Sequence, residues 1–181
     1  NNKTLIMLGI SKEIKYPGLN ILPPGVERHV VNGGALTAFQ VFPDDELEII
    51  NNEGNQICEI ICFNKDGKAD LGILNLKSNN EKNFIKNILN GKDESILATN
   101  YQLKKRNLNI INSKSSIVFS PESKSGETVK LKSKDKCFAI FAAPGEDMEV
   151  INQNPPSELT IFIKRSKIVN DKELNIIPDP V

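Results

Sequence analysis

The stretch ELEIINNEGNQICEIICFN, residues 46–64, decides how this chain is read. Its first part, Glu46-Leu47-Glu48-Ile49-Ile50-Asn51, alternates polar and apolar residues, the period-two pattern of a half-buried strand. Asn52-Glu53-Gly54-Asn55 then forms a turn, close to the spacing found between hairpin strands. Residues 56–64 resume as a second strand, rich in β-branched side chains. Residues i, i+2 and i+4 share one face of a strand. Cys58, Ile60 and Cys62 therefore point one way, and Ile57, Glu59 and Ile61 the other.

The same rhythm continues outward. Towards the N-terminus, Asn32-Gly33-Gly34 and Pro43-Asp44-Asp45 are turns around an apolar segment at 36–41, and 27–31 is extended. Residues 16–25 hold three prolines and two glycines, which make a loop. Residues 5–10 read as a short strand or an irregular arm. Towards the C-terminus, Lys65-Asp66-Gly67-Lys68 turns again. Phe84, Ile85, Ile88 and Leu89 stand at helical spacing and predict a helix over 78–89, capped by Ser78 or Asn80 and ended by Gly91. Residues 103–113 read either way. Strands follow at 117–119, 127–133, 137–143 and 159–163. The unbroken apolar run at 137–143 fits a central strand covered on both faces. Short strands with turns every eight to twelve residues predict a mainly β fold, α+β at the margin. The expected architecture is an antiparallel β-sandwich or barrel-like domain with one or two short helices. Residues 1–166 read as a single β-rich domain and 167–181, polar with two prolines, as a linker.

Composition narrows the function. The 181 residues carry 23 Lys+Arg against 23 Asp+Glu, a balance that argues against a nucleic-acid binder. Eight Phe, two Tyr and no Trp supply few stacking platforms for single strands. No run approaches the ~18 apolar residues of a membrane helix, and no charged-then-apolar leader points to export. The expected setting is cytoplasmic, without nucleic acid or membrane as a partner. Three cysteines, Cys58, Cys62 and Cys137, do not make a disulfide framework and fit a reducing compartment. They could contribute to a zinc site, or behave as small buried hydrophobes.

Six stretches, in order, carry a resemblance. They are Leu22-Pro23-Pro24-Gly25-Val26-Glu27-Arg28, Glu53-Gly54-Asn55-Gln56-Ile57-Cys58-Glu59, Phe63-Asn64-Lys65-Asp66-Gly67, Ala142-Ala143-Pro144-Gly145-Glu146-Asp147-Met148, Asn154-Pro155-Pro156-Ser157-Glu158-Leu159 and Ile177-Pro178-Asp179-Pro180. Together they resemble the family of unknown function that includes the urea-carboxylase-associated proteins. More narrowly, they resemble its branch joined to glycine-cleavage T-protein (aminomethyltransferase) domains. The resemblance implies the N-terminal copy of a domain, followed in the parent protein by a second copy and a folate-binding aminomethyltransferase domain. Tetrahydrofolate is then expected in the attached domain, since the T-protein folate motifs are not in this sequence. Some relatives are implied to be metal-dependent deiminases acting on guanidine-derived substrates. Their later His-Asp segment is absent here, where Cys137-Phe138 stands.

The resemblance and the strand pattern nominate site residues. Glu59 is the candidate general base or ligand and Cys58 the candidate metal ligand, each set against an outward-facing Glu on an edge strand beside a buried Cys. Gln56 joins them as a substrate-binding candidate. Arg28, one of only three arginines in a lysine-rich chain, could fork onto a substrate carboxylate, or make a surface ion pair of little worth. The sole histidine, His29, is a further ligand candidate. Asp147, on a loop after the apolar strand, is a substrate-binding candidate or simple turn chemistry. Lys130, Lys132, Lys134 and Lys136 alternate on one solvated face. The expected function is an accessory or small-molecule-binding domain of an aminomethyltransferase-like protein of one-carbon or amine metabolism, presenting a small amine or acid. The alternative is a metal-dependent hydrolase or deiminase acting on a small C–N substrate.

Overall fold

The computed structural model describes residues 22–80, 83–145 and 155–167. Its strands are β1 (Val26–Val31), β2 (Leu36–Val41), β3 (Glu46–Asn51), β4 (Cys58–Asn64), β5 (Ser116–Val118), β6 (Glu127–Lys132), β7 (Cys137–Ala142) and β8 (Leu159–Lys164). A 3-10 turn, Leu71–Leu74, and two helices, α1 (Phe84–Ile88) and α2 (Glu94–Lys105), lie between β4 and β5. The strands form two four-stranded antiparallel sheets, ordered β1-β8-β3-β6 and β2-β7-β4-β5. The mainly β sandwich expected from the sequence is what the chain builds.

Each strand of the first half pairs with its mirror counterpart in the second: β1 with β8, β2 with β7, β3 with β6, β4 with β5. This is the double Greek key of a jelly roll. Among the described strands, β4 and β5 are the only consecutive pair that hydrogen-bond. The turn at 52–55, placed at hairpin spacing, instead carries the chain from one sheet to the other. Turn chemistry reverses the chain, but burial decides which sheet receives the next strand.

That burial is asymmetric and follows the sequence. The space between the sheets is filled by Val31, Phe39, Leu47, Ile49, Ile60, Phe141, Leu159 and Ile161, with all three cysteines among them. The outer face of the β2-β7-β4-β5 sheet is covered by the helices, burying Ile61, Phe63, Phe138 and Ile140 against Ile85 and Leu103. Strands β7 and β4 are therefore wet on neither face, which is why both read as nearly continuous apolar runs. The outer face of the other sheet is solvated. There Lys130 pairs with Glu48 and Lys132 with Asp44, and β6 is an edge strand with its lysines outward.

The helices differ from expectation. Residues 78–80 are not helical. Asn79 donates Nδ2 to the Ile117 carbonyl (2.9 Å) and accepts from the Ile117 N–H (2.6 Å), while Asn80 bridges Ser115. An asparagine amide thus stands in for a neighbouring strand's backbone, which holds the segment extended until α1 begins at Phe84. The longer α2 was not foreseen. Its buried line is Ile96, Thr99, Gln102 and Leu103, half of it polar, while Leu97 and Tyr101 are exposed, so its apolar period is blurred. Its N- and C-terminal turns carry Glu94 and then Lys104 and Lys105, matching the helix dipole.

Candidate functional site

The nominated residues fall in separate places. Glu59 is fully buried, on the outer face of its sheet beneath the helix layer, and β4 is an inner strand. Its carboxylate accepts from Asn80 Nδ2 (2.7 Å), Ser115 Oγ (2.6 Å) and the Ile85 N–H (2.6 Å). Burial raises its pKa, and these three donors offset that only in part. The side chain staples the first turn of α1 and the approach to β5 onto the sheet, using most of its lone pairs internally.

Cys58 points to the opposite face, into the apolar interior, and burial pushes its thiol up. Cys62, on the same face, is pushed up by its hydrogen bond with Cys137 and by burial. Two cysteines four residues apart on an extended strand stand about 13 Å apart. A shared zinc, with Zn–S near ~2.3 Å, needs its thiolates within about 4.6 Å. Cys58 and Cys62 therefore do not fit one zinc ion. Among the described residues no group of three or more His, Cys, Asp or Glu side chains is arranged to hold a metal.

Gln56 lies at one end of the sandwich, 3% exposed. Its Nε2 donates to the carbonyls of Ile57 and Pro144 (both 2.9 Å), and its Oε1 accepts from the Ser157 N–H (2.8 Å). One amide thus ties the start of β4 to the segments after β7 and before β8. The turn before it is held by Asn51, whose Nδ2 donates to the Gln56 carbonyl and to Ser123 Oγ (both 2.7 Å) and whose Oδ1 accepts from the Gly54 N–H. Gly54 sits at φ +84, where side chains rarely fit, and a Cβ there would meet the Ser123 carbonyl at 2.7 Å. A cleft of 190 Å³ opens beside Gln56, walled by Gly54, Pro144, Pro156 and Ser157. The Ser157 hydroxyl is buried there, with no hydrogen-bond partner among the described residues. Asp147 lies outside the described residues.

Arg28 is exposed, on the outward face of β1 opposite Phe162. Its neighbours in sequence do more. His29 stacks on Phe39 at 4.4 Å, and Phe39 on Phe141 at 5.0 Å, so the only imidazole is packed against the interior. His29 Nε2 lies 3.1 Å from Glu27 Oε2. Glu27 in turn receives one edge of the Arg165 fork, Nε at 2.7 Å and Nη2 at 2.8 Å. Arg165 Nη1 also donates to the fully buried Asp45 (2.7 Å) and to the Gln40 carbonyl (3.0 Å). Desolvation pushes the Glu27 carboxyl up, but the hydrogen bonds from His29 and Arg165 and the charge of Arg165 outweigh it and hold it at about 2. This network welds the start of β1, the β2–β3 turn and the end of β8. Sequence reading missed it. The available signal was the scarcity of arginine, which singles out Arg165 and Arg106 as well as Arg28.

No family model matches the sequence. The trimethylamine-oxide aldolase of Ruegeria pomeroyi is 29% identical over 168 residues, which is 93% of this chain and 21% of that protein. The chain thus spans about a fifth of the length of the curated relative it matches. A crystal structure of a DUF1989 family protein from Silicibacter pomeroyi is similar with a TM-score of 0.44 at 10% identity, over 79% of this chain and 80% of that one. Among the described residues no helix is long and apolar enough to cross a membrane.

Proposed function

We propose that this chain is the accessory, N-terminal-type domain of a longer amine-metabolising protein of aminomethyltransferase-like kind, positioning its neighbours rather than breaking bonds itself. The observation that carries this reading is the similarity to trimethylamine-oxide aldolase along 93% of the chain. The fate of the polar groups supports it. Glu59 and Gln56 are spent on holding strands and helices together, and the apolar interior leaves Cys58 facing hydrocarbon. In this reading the folate chemistry and a second copy of the domain lie elsewhere in the parent protein. Any small amine or acid that this domain presents is met at its surface clefts, one of which Gln56 and Ser157 frame.

The test is the mass of the native polypeptide, detected in its own cells with an antibody to this domain. A band several times larger than that of a 181-residue chain is expected. The isolated chain is expected to release no formaldehyde from trimethylamine oxide. A native band of the chain's own size, or stoichiometric zinc lost on Cys58→Ser, would overturn the reading in favour of a free-standing hydrolase.

A further inference from the structure

Arg106 is half-buried and, among the described residues, has no carboxylate in ion-pair contact, unlike Arg165. It caps the C-terminal end of α2, and its place is fixed by the backbone. Asn107 adopts φ 53, its N–H bonds the Lys104 carbonyl (3.0 Å), and the Leu108 N–H bonds the Leu103 carbonyl (2.9 Å). That is a Schellman motif, which turns the chain sharply and throws Arg106 back over the sheet. There its guanidinium lies 4.8 Å from the ring centre of Phe138. Nη1 donates to Gln40 Oε1 at 3.2 Å, and Gln40 is itself anchored by donating to the Cys137 carbonyl at 2.8 Å. Gln40 and Phe138 face each other across β2 and β7, so one register pair seats the guanidinium.

The opposite edge of the fork holds an unpaired donor. Arg106 Nε is buried and has no hydrogen-bond partner among the described residues. The residue borders a cleft of 340 Å³ whose walls also include Asn64, Lys65 and Lys136. Among the described residues three cations line this cleft and no carboxylate does. A buried donor without a partner costs free energy, more so when it carries charge. Burial indeed lowers the Arg106 pKa, as expected for a cation lacking its counter-ion. Arg165, by contrast, meets two carboxylates.

We propose that this cleft is an anion site in which the Arg106 guanidinium binds a phosphate group, with Lys65 and Lys136 supplying the remaining charge. A planar fork matches two phosphate oxygens, and two ammonium groups suit a dianion better than a single carboxylate. The cleft is larger than inorganic phosphate needs, so the ligand class is a small phosphate monoester. This site is separate from the Gln56 cleft and does not depend on the chain's place in a longer protein.

The probe is inorganic phosphate, titrated into the 181-residue chain at constant ionic strength against chloride, with amide NMR shifts and melting temperature as readouts. Saturable binding is expected, with shifts centred on residues of the α2 C-terminus and β7, and a melting temperature that rises with phosphate and not with chloride. Arg106→Lys, which keeps the charge but not the fork, is expected to weaken binding at least about tenfold. Lys65→Gln with Lys136→Gln, both exposed positions, of which Lys136 loses only a surface contact with the Phe42 ring, is expected to do the same, which keeps the test open should the Arg106 variant unfold. Absence of saturable binding, or affinity unchanged in both variants, would overturn the site and leave Arg106 as a cation complementing the end of its helix. Malonate binding more tightly than phosphate would overturn the phosphate assignment.

Discussion

Replacing Arg165 with Met probes the network that closes the sandwich. The guanidinium side chain is 5% exposed and Asp45 is 0% exposed, so this pair is desolvated. Without Arg165, Asp45 keeps only the backbone N–H groups of Phe42 and Ser166, both at 3.0 Å, against a buried charge. Removing one partner of such a pair costs about 3–5 kcal/mol. Glu27 regains water and adds about 0–1 kcal/mol. The expected loss is about 4 kcal/mol, a large share of the roughly 5–15 kcal/mol that holds a domain folded. In thermal terms that is a fall of about 8–16 °C for a chain of this size. Urea unfolding followed by circular dichroism measures it. Asp45→Asn should lose less, because no unpaired charge remains. The double variant should be more stable than the two losses predict, by about 2 kcal/mol of coupling. The pH profile adds a second reading. The folded Glu27 pKa, about 2, lies below its ordinary 4.5. Its contribution is therefore complete above pH 4.5 and is lost as pH falls from there towards 2. Arg165→Met should flatten that limb. A loss below about 1 kcal/mol, or strict additivity in the cycle, would refute the picture of a desolvated, coupled pair.

Three further outcomes follow from the same structure. Glu59→Ala should cost about 3 kcal/mol by stranding three donors, and Glu59→Gln about half as much; because burial raises the Glu59 pKa, the parent loses stability as pH climbs from 4.5 through the folded value, and unfolding curves of Glu59→Gln should lack that decline. Gly54→Ala should destabilise by about 2–4 kcal/mol, combining a left-handed backbone with a backbone clash, and a melting point within a degree or two of the parent's would contradict the turn geometry. All three cysteines are free and buried, so a thiol reagent should label none of them in minutes under native conditions and all three in denaturant.

The strands were legible because their periods are physical. Alternation at 46–51 and the unbroken run at 137–143 report directly which faces meet water. Sheet membership was not legible, because a turn such as 52–55 has the same chemistry whether its strands pair or part. The site residues were harder still. Glu59 and Gln56 stand out in sequence as polar groups in apolar strands, which is equally the signature of an internal staple and of a catalyst. Only their partners decide, and all but the Ile57 carbonyl are 21 to 101 residues away along the chain. Arg28 was nominated because arginine is rare here. The reasoning was sound for the residue type, but a strand's parity turns Arg28 outward, while Arg106 and Arg165, beyond the ends of regular elements, are the ones drawn inward.

The mirror pairing of the strands has a consequence for how the chain reaches its native state. The outermost pair joins Val31 to Leu159, so closing it first would mean ordering almost the whole chain in one step. Closing β4 onto β5 first brings β3 beside β6, then β2 beside β7, and each of these later closures spans only short connections. The entropy of association is then lost in small instalments, as in a zip drawn from its middle. The first tooth is the slow one, since β4 and β5 are separated by the helical segment, and refolding of this domain should be limited by that single long-range encounter.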